Sequence, residues 1–262
     1  MNLDDIQRHW ENEGKKLNLS ENMTITSRDP FLGQLEEEFI LKYLNQNQDV
    51  LEIGCGDAAH TVKYGQQVKF LWGLDIARSL ISRAQQRVAL AGLSNIKFEV
   101  GSILDISSII HRQIDCAISQ RCLINLPNWD YQQQAIIEIW KLLKPKGLFI
   151  MTEGFQDELE NLNSLRQKVG LDSIKVVNYN RNLLHAEFDT FIQNYFIVEA
   201  VHHYGFYLFL SRVYHPLVVY PENPKHDARL NEMAHHLCKV VDFPELKKFS
   251  YNLLYVLRRR DG

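Results

Sequence analysis

Two glycines and two acids, spread over neighbouring apolar segments, are the residues of this sequence best suited to chemistry. One apolar run contains Glu52 and leads into Gly54 and Gly56, and a second apolar run ends at Asp75. Glycine lets a backbone approach a ligand closely. A carboxylate at the end of the next strand can accept hydrogen bonds from ribose hydroxyls. This order of strand, glycine turn, helix, strand and acid predicts an adenosine site in an open α/β sheet.

The acid before the glycine turn separates two kinds of nucleotide ligand. A dinucleotide site has Gly-x-Gly-x-x-Gly or Ala, and Ala59 satisfies the last position of that pattern. A pyrophosphate would rest on the N-terminus of the following helix, where the charge of Glu52 would oppose it. The cationic amino acid end of S-adenosylmethionine tolerates an acid there. The turn therefore favours S-adenosylmethionine over a nicotinamide cofactor.

The segment from Val50 to Gly56, Val-Leu-Glu-Ile-Gly-Cys-Gly, resembles the first motif of class I S-adenosylmethionine-dependent methyltransferases. The resemblance covers roughly residues 25–155. It implies that Asp75 binds the ribose, that Ile76 packs on adenine, and that Ser102 and Ile103 flank the adenine. Many members have aspartate in place of Ser102, whose hydroxyl can still accept from the adenine amino group. The predicted cofactor-binding residues are Arg28, Glu52, Gly54, Cys55, Gly56, Asp75, Ile76, Ser102, Ile103, Gln120 and Arg121.

The methyl acceptor is expected to bind beyond the cofactor half of the chain. Methyl transfer needs alignment, and an oxygen or nitrogen nucleophile must also lose a proton to a base. Histidine has a suitable pKa, and Glu153 could bind or orient a substrate. The candidate catalytic residues are His185, His202, His203, His215 and Glu153. We expect at least one of the four histidines to line the pocket.

Missing motifs narrow the type of acceptor. The sequence has no aspartate–histidine cluster of the magnesium-dependent catechol type, so no metal is expected. Ser119-Gln120-Arg121-Cys122 stands where nucleic acid adenine and glutamine methyltransferases have Asn/Asp-Pro-Pro-Tyr/Phe. We therefore expect a small-molecule acceptor, such as a sugar or a secondary metabolite.

Hydrophobic periodicity predicts the elements that position these residues. Strands are expected at 50–53, 70–75, 96–100, 114–119, 148–152, 196–202 and 251–257, and helices at 31–44, 60–66, 79–91, 130–143, 157–169, 188–194 and 230–241. Their alternation indicates βαβ units with parallel strands. The resemblance implies an α/β fold: a Rossmann-like, doubly wound, mostly parallel seven-stranded sheet whose last strand is antiparallel. N-terminal helices and a C-terminal lid insertion would complete it.

The predicted elements also suggest a domain organisation. Residues 1–30 are expected to form an N-terminal cap segment and residues 31–262 the methyltransferase domain. Within that domain, residues of about 204–246 are dense in aromatic side chains and predict a substrate-side insertion with an apolar lining.

Composition excludes several other classes of protein. The 262 residues carry a net charge of −3, which does not favour nucleic acid as a partner. The four cysteines lack zinc spacing, the first residues are acidic and polar rather than a signal peptide, and no apolar run reaches the ~20 residues of a membrane span. We expect a cytoplasmic monomer or homodimer without a membrane segment.

Two other functions stay open at this stage. One is a nicotinamide-dependent oxidoreductase on the same architecture, although Glu52 and the lack of a Tyr-x-x-x-Lys motif argue against it. The other is a cofactor-binding scaffold without catalysis, which would be expected to have lost motifs that are intact here.

Overall fold

The computed structural model describes residues 1–16, 29–241 and 243–261. Its strands are β1 (Asp49–Ile53), β2 (Phe70–Asp75), β3 (Ile96–Val100), β4 (Ile114–Gln120), β5 (Leu143–Gly154), β6 (Phe196–His203) and β7 (Asn252–Arg259). Within the described ranges these seven strands form one sheet in the order β3-β2-β1-β4-β5-β7-β6. Neighbouring strands pair in parallel, except that β7 is antiparallel to both β5 and β6. The predicted mixed sheet with an antiparallel last strand is confirmed.

Helices connect the strands and cover both faces of the sheet. They are α1 (Leu3–Lys16), α2 (Pro30–Leu41), α3 (Thr61–Gly65), α4 (Arg78–Leu90), α5 (Trp129–Leu142), α6 (Gln156–Lys168), α7 (His185–Ile192), α8 (Gly205–Phe209), α9 (His215–Val219) and α10 (Arg229–Leu237). Short 3₁₀ turns lie at Ile103–Ser108, Leu123–Asn125 and Pro244–Phe249, and a π turn lies at Leu210–Tyr214. None of the described helices combines the length and the apolar character needed to cross a membrane.

The core has a layer on each face of the sheet, because successive strand side chains point to opposite faces. Leu51 of β1 packs in the layer beneath α5 and α7, together with Ile136 and Phe188. Its neighbour Val50 packs in the opposite layer with Ile40 of α2 and Tyr64 of α3. A parallel sheet covered on both faces explains why these strands read as continuous apolar runs.

The chain order reverses at β1, which lies between β2 and β4. In open α/β sheets, ligands bind outside the carboxyl ends of the strands at this reversal. The segments that follow β1, β2 and β4 therefore meet at one edge of the sheet. The predicted glycine turn, Asp75 and the Gln120–Arg121 pair all lie there.

Asp29 fixes both the start of α2 and the aromatic segment that was expected to form a lid. Its carboxylate accepts from the Leu32 amide at 3.1 Å, as predicted for an N-cap. It also accepts from the Tyr207 hydroxyl and from the Arg212 guanidinium, each at 2.6 Å. Tyr204 and Tyr207 are buried in the layer that contains α2. The aromatic density of this segment thus builds core, and a lid formed by it is not confirmed.

Candidate active site

The turn after β1 needs glycine at two positions. Gly54 has φ +69° and Gly56 has φ +56°, in the left-handed region that favours glycine. A Cβ on Gly54 would lie 2.9 Å from the Cys122 sulfur, whereas a Cβ on Gly56 would meet no atom within 4 Å. The turn is therefore packed on the side of Gly54 and open at Gly56.

Asp75 joins the end of β2 to this turn. Its Oδ2 accepts from the Gly56 amide and its Oδ1 from the Ala77 amide, each at 2.9 Å. The residue is 8% exposed, and burial raises the pKa of its carboxyl to about 6. Each carboxylate oxygen can accept a further hydrogen bond. The acid is thus held in place by backbone amides and retains capacity for a ligand.

A pocket opens at this edge of the sheet. Eight of the predicted cofactor-binding residues line it: Gly54, Gly56, Asp75, Ile76, Ser102, Ile103, Gln120 and Arg121. Two others, Glu52 and Cys55, are buried and are not among the described lining residues. Arg28 lies outside the described residues, so its predicted contact with the cofactor carboxylate stays a prediction.

Glu52 is a buried acid beside the turn. Burial raises the pKa of its carboxyl to about 7. Its Oε2 atom has no hydrogen-bond partner among the described residues. Glu52 is not among the described lining residues, and its predicted contact with the cofactor stays a prediction.

Gln120 and Arg121, at the end of β4, bring unsatisfied donors to the pocket. The Tyr64 hydroxyl donates to Gln120 Oε1 at 2.8 Å, while Gln120 Nε2 has no partner among the described residues. Arg121 has φ +53° and pairs through Nη1 with the buried Glu36. Its Nε and Nη2 have no partner within the described chain. Buried donors without partners are costly, which marks both side chains as candidates for binding an anionic or polar ligand group.

Glu153, expected to touch the substrate, instead holds the loop that follows β4. Its carboxylate is fully buried. It accepts from the Ser119 hydroxyl at 2.8 Å and from the Cys122, Leu123 and Ile124 amides at 3.1, 3.1 and 3.2 Å. Burial raises the pKa of its carboxyl to about 7. Because its oxygens are used by the protein and it is not among the described lining residues, its role is to position the loop.

His185 lies between two acidic side chains and forms a hydrogen bond with each. Its Nε2 lies 2.9 Å from Glu158 Oε1 and its Nδ1 lies 3.1 Å from Asp189 Oδ2. The hydrogen bond with Glu158 raises the pKa of His185 to about 9. At neutral pH the imidazole is therefore protonated and cannot accept a proton.

The other three histidines also lie away from the described lining of the main pocket. His202 Nε2 lies 2.7 Å from the Tyr43 hydroxyl, and His202 and His203 line a second cavity beside Phe39. His215 is 3% exposed, with Nδ1 3.0 Å from the Asn231 side-chain oxygen. None of the four predicted histidines is among the described residues that line the main pocket. We therefore do not place a base among them.

Other lining residues complete the described pocket. Ile124, Asn125 and Leu126 belong to the segment Arg121–Leu126, whose sequence resembles the loop after strand 4 in small-molecule methyltransferases. The residues that the sequence did not single out include Leu3, Ile6 and Trp10 of α1, Leu80 of α4, and Tyr179 and Asn180 before α7. Trp10 was the one available signal, since it is a large aromatic side chain in an otherwise polar N-terminal helix. Nothing in the sequence around Tyr179 indicates that its loop returns to this edge of the sheet.

Comparison with known proteins agrees with the fold and the pocket. A family model described as "Methyltransferase domain" matches residues 44–202, which is more than half of the chain. The protein therefore belongs to this family, within the class I S-adenosylmethionine-dependent methyltransferases.

The individual relatives match this chain at low sequence identity or over a short segment. The chain is 23% identical over 174 residues to "Probable methyltransferase ltbC" of Aspergillus luteorubrus, covering 63% of this chain and 59% of that protein. It is 36% identical over 83 residues to "2-heptyl-1-hydroxyquinolin-4(1H)-one methyltransferase" of Mycobacteroides abscessus, covering 30% of this chain and 36% of that protein. The chain thus matches less than two thirds of the length of either curated relative.

Solved structures share the fold at low identity. N-methyltransferase NodS from Bradyrhizobium japonicum WM9, in complex with S-adenosyl-L-homocysteine, has a TM-score of 0.59 at 16% identity, over 99% of this chain and 100% of that one. Phosphoethanolamine N-methyltransferase 1 of Haemonchus contortus has a TM-score of 0.65 at 12% identity, over 99% of this chain and 49% of that one. At these identities the likeness establishes the fold.

Proposed function

We propose that this protein transfers the methyl group of S-adenosylmethionine to an oxygen or nitrogen atom of a small molecule. The observation that carries the proposal is the position of Asp75, which is held by the Gly56 amide at 2.9 Å at the edge of a pocket. That pocket continues past Gly54 to the loop after β4, so the glycine turn, Asp75 and that loop line one cavity. The name of one relative above, a quinolone methyltransferase, agrees with a small-molecule acceptor.

The residues of the pocket fit the proposed cofactor in three respects. The open side of Gly56 leaves room for a ligand against the backbone. The remaining acceptor capacity of Asp75 suits two ribose hydroxyls. The unpaired donors of Gln120 and Arg121 suit a carboxylate, which a guanidinium binds well. Ile76 and Ile103 would enclose the adenine.

When bound, the cofactor would supply an electrophilic methyl group on a positively charged sulfur, and the bonding electrons would stay on that sulfur after transfer to the acceptor. The described residues contribute alignment and exclusion of water.

Calorimetry with S-adenosylhomocysteine and with NAD tests the proposal. We expect binding of S-adenosylhomocysteine and none of NAD, because the charge of Glu52 disfavours a pyrophosphate at the turn. A methyl-transfer assay that follows S-adenosylhomocysteine release, with the alkylated N-hydroxyquinolone named for the relative as the first acceptor, then tests turnover. Binding of NAD without S-adenosylhomocysteine would refute the proposed function.

A further inference from the structure

The pocket has an aromatic wall made from two distant parts of the chain. Trp10 of α1 donates from its indole nitrogen to Asn125 Oδ1 at 3.1 Å. The Tyr179 ring stacks on His9 at 4.3 Å between centroids and meets the Trp10 ring edge-on at 5.7 Å. Trp10 and Tyr179 both line the pocket. We call these two residues the aromatic wall.

Helix α1 is fixed on the body of the protein, so this wall is a built surface. Ser79, in the first turn of α4, donates from its amide to Glu11 Oε2 at 3.1 Å and from its hydroxyl to the Glu11 carbonyl at 2.9 Å. Arg83 donates to the Gly14 carbonyl at 2.6 Å. A Cβ on Gly14 would lie 2.3 Å from the Ser79 hydroxyl, so glycine is needed for the close approach of the two helices. The wall is therefore present before an acceptor arrives.

Few of the described side chains that line the pocket are charged. The charged side chains among the described lining residues are Asp75 and Arg121. Arg121 is paired with Glu36, and its remaining donors are assigned above to the carboxylate of the cofactor. The rest of the described lining near the wall is apolar, aromatic or amide. A phosphate or an ammonium group placed there would lose its hydration without gaining a counter-charge, which is costly.

One buried polar atom near the aromatic wall has no hydrogen-bond donor among the described residues. Asn180 lines the pocket, and its Oδ1 is buried without a hydrogen-bond partner among the described residues. An acceptor molecule with an N–H or O–H group would supply the missing donor. Ring stacking and one hydrogen bond together would fix such a molecule in orientation.

We propose that the methyl acceptor is an uncharged molecule with an aromatic or heteroaromatic ring, which packs against Trp10 and Tyr179 and donates a hydrogen bond to Asn180. This inference rests on the proposed function and names the substrate class of the same pocket. Helix α1 and the loop containing Tyr179 are then the specificity-determining elements.

Binding to the protein already saturated with S-adenosylhomocysteine tests the proposal. The probes are 1-naphthol and 4-hydroxyquinoline as ring compounds, and phosphoethanolamine and glucosamine as polar ones, each measured by calorimetry. We expect the ring compounds to bind at least tenfold more tightly than the polar ones. Trp10→Ala and Tyr179→Ala should each weaken ring-compound binding by about fivefold or more, since an aromatic pair contributes about 1 kcal/mol beyond its buried area.

Two further variants control for loss of structure. Trp10→Phe keeps a ring but loses the hydrogen bond to Asn125, and should keep ring-compound affinity within about threefold. Tyr220→Ala removes an aromatic side chain that is 80% exposed and is not a lining residue, and should change nothing. Tighter binding of the polar probes, no binding of either ring compound, or unchanged affinity in both alanine variants would overturn the inference. Failure of the wild-type protein to bind S-adenosylhomocysteine would instead refute the proposed function.

Discussion

The Ile124 amide donates to Glu153 Oε2 at 3.2 Å, and this bond joins the loop after β4 to the end of β5. The neighbouring Cys122 and Leu123 amides donate to the other oxygen of the same carboxylate. Three successive amides thus converge on one buried acid. The loop they belong to also carries Asn125, which accepts from Trp10. The acceptor end of the pocket therefore depends on an acid that does not itself reach the pocket.

We expect Glu153→Gln to lower kcat/KM for the acceptor by at least tenfold while cofactor affinity stays within about twofold. The amide group replaces one acceptor oxygen with a donor that faces backbone N–H groups, and a lost hydrogen bond to a charged group costs about 1.5–3 kcal/mol. Steady-state kinetics and calorimetry with S-adenosylhomocysteine measure the two effects. Glu160→Gln, a matched change at the exposed side chain four residues into α6, should leave both quantities unchanged. Equal loss of cofactor affinity and turnover would mean that Glu153 only supports folding.

Affinity for S-adenosylhomocysteine should fall as the pH drops below about 6. The ionised Asp75 carboxylate accepts from the ribose hydroxyls in the proposed complex, and burial raises the pKa of that carboxyl to about 6 in the free protein. Binding favours the ionised form, so protons compete with the ligand below this pH, by up to tenfold per pH unit. Calorimetry from pH 8 to pH 5 measures the slope. Asp75→Asn should bind at least tenfold more weakly at pH 8 and show a flat profile; a slope that persists in this variant would place the titration elsewhere.

Replacing Glu52 with glutamine should stabilise the protein at pH 8. Burial raises the pKa of Glu52 to about 7 in the folded state, above the ordinary value near 4.3. The folded state therefore binds the proton more tightly than the unfolded state, and the free energy of unfolding decreases as the pH rises from about 4.5 to about 7. The ionised form costs on the order of 2–3 kcal/mol above that range.

Urea denaturation at pH 5.5 and pH 8 measures this cost. The wild-type protein should lose stability between the two pH values, with Glu153 and Asp75 contributing in the same direction, because their pKa values are raised to about 7 and about 6. The Glu52→Gln variant should lose less stability than the wild type between the same two pH values. The idea fails if the variant and the wild type show the same difference between the two pH values.

Alanine variants of His185, His202, His203 and His215, made singly, should keep methyl-transfer rates within about threefold of wild type. None of them is among the described lining residues of the main pocket, and loss of a true general base typically costs ~100-fold or more. The assay is turnover at saturating cofactor and acceptor. A 100-fold loss in one variant, with cofactor affinity intact, would return the base to the segment first expected from the sequence.

The cofactor half of the fold could be predicted closely because its signals are local. The strands at 70–75 and 96–100 were predicted to the residue. The first is an apolar run that ends at an acid, and the second alternates apolar and charged residues before a glycine. The fifth strand was predicted too short, at 148–152, whereas β5 begins at Leu143. Lys144–Gly147 has the composition of a turn, yet Leu143 pairs with Ile114 across an irregular register.

The acceptor half depends on contacts between residues far apart in sequence, which periodicity does not reveal. Trp10 and Asn125 are 115 positions apart, and Tyr179 reaches the wall from a loop without regular structure. Histidines beside aromatic residues suggested a catalytic cluster. In the structure the hydrogen bonds of His185 and His202 go to Glu158 and Tyr43, which are partners that only the folded chain provides.

The indole of Trp10 is also an optical reporter placed at the pocket by the fold. Its ring lines the cavity and its N–H is bonded to Asn125, so a ligand that packs against it changes the polarity around a fluorophore. The chain has four tryptophans, and subtracting the emission of a Trp10→Phe variant isolates the signal of this one. Acceptors can therefore be screened by fluorescence titration before any product is known, with the protein's own emission as the readout.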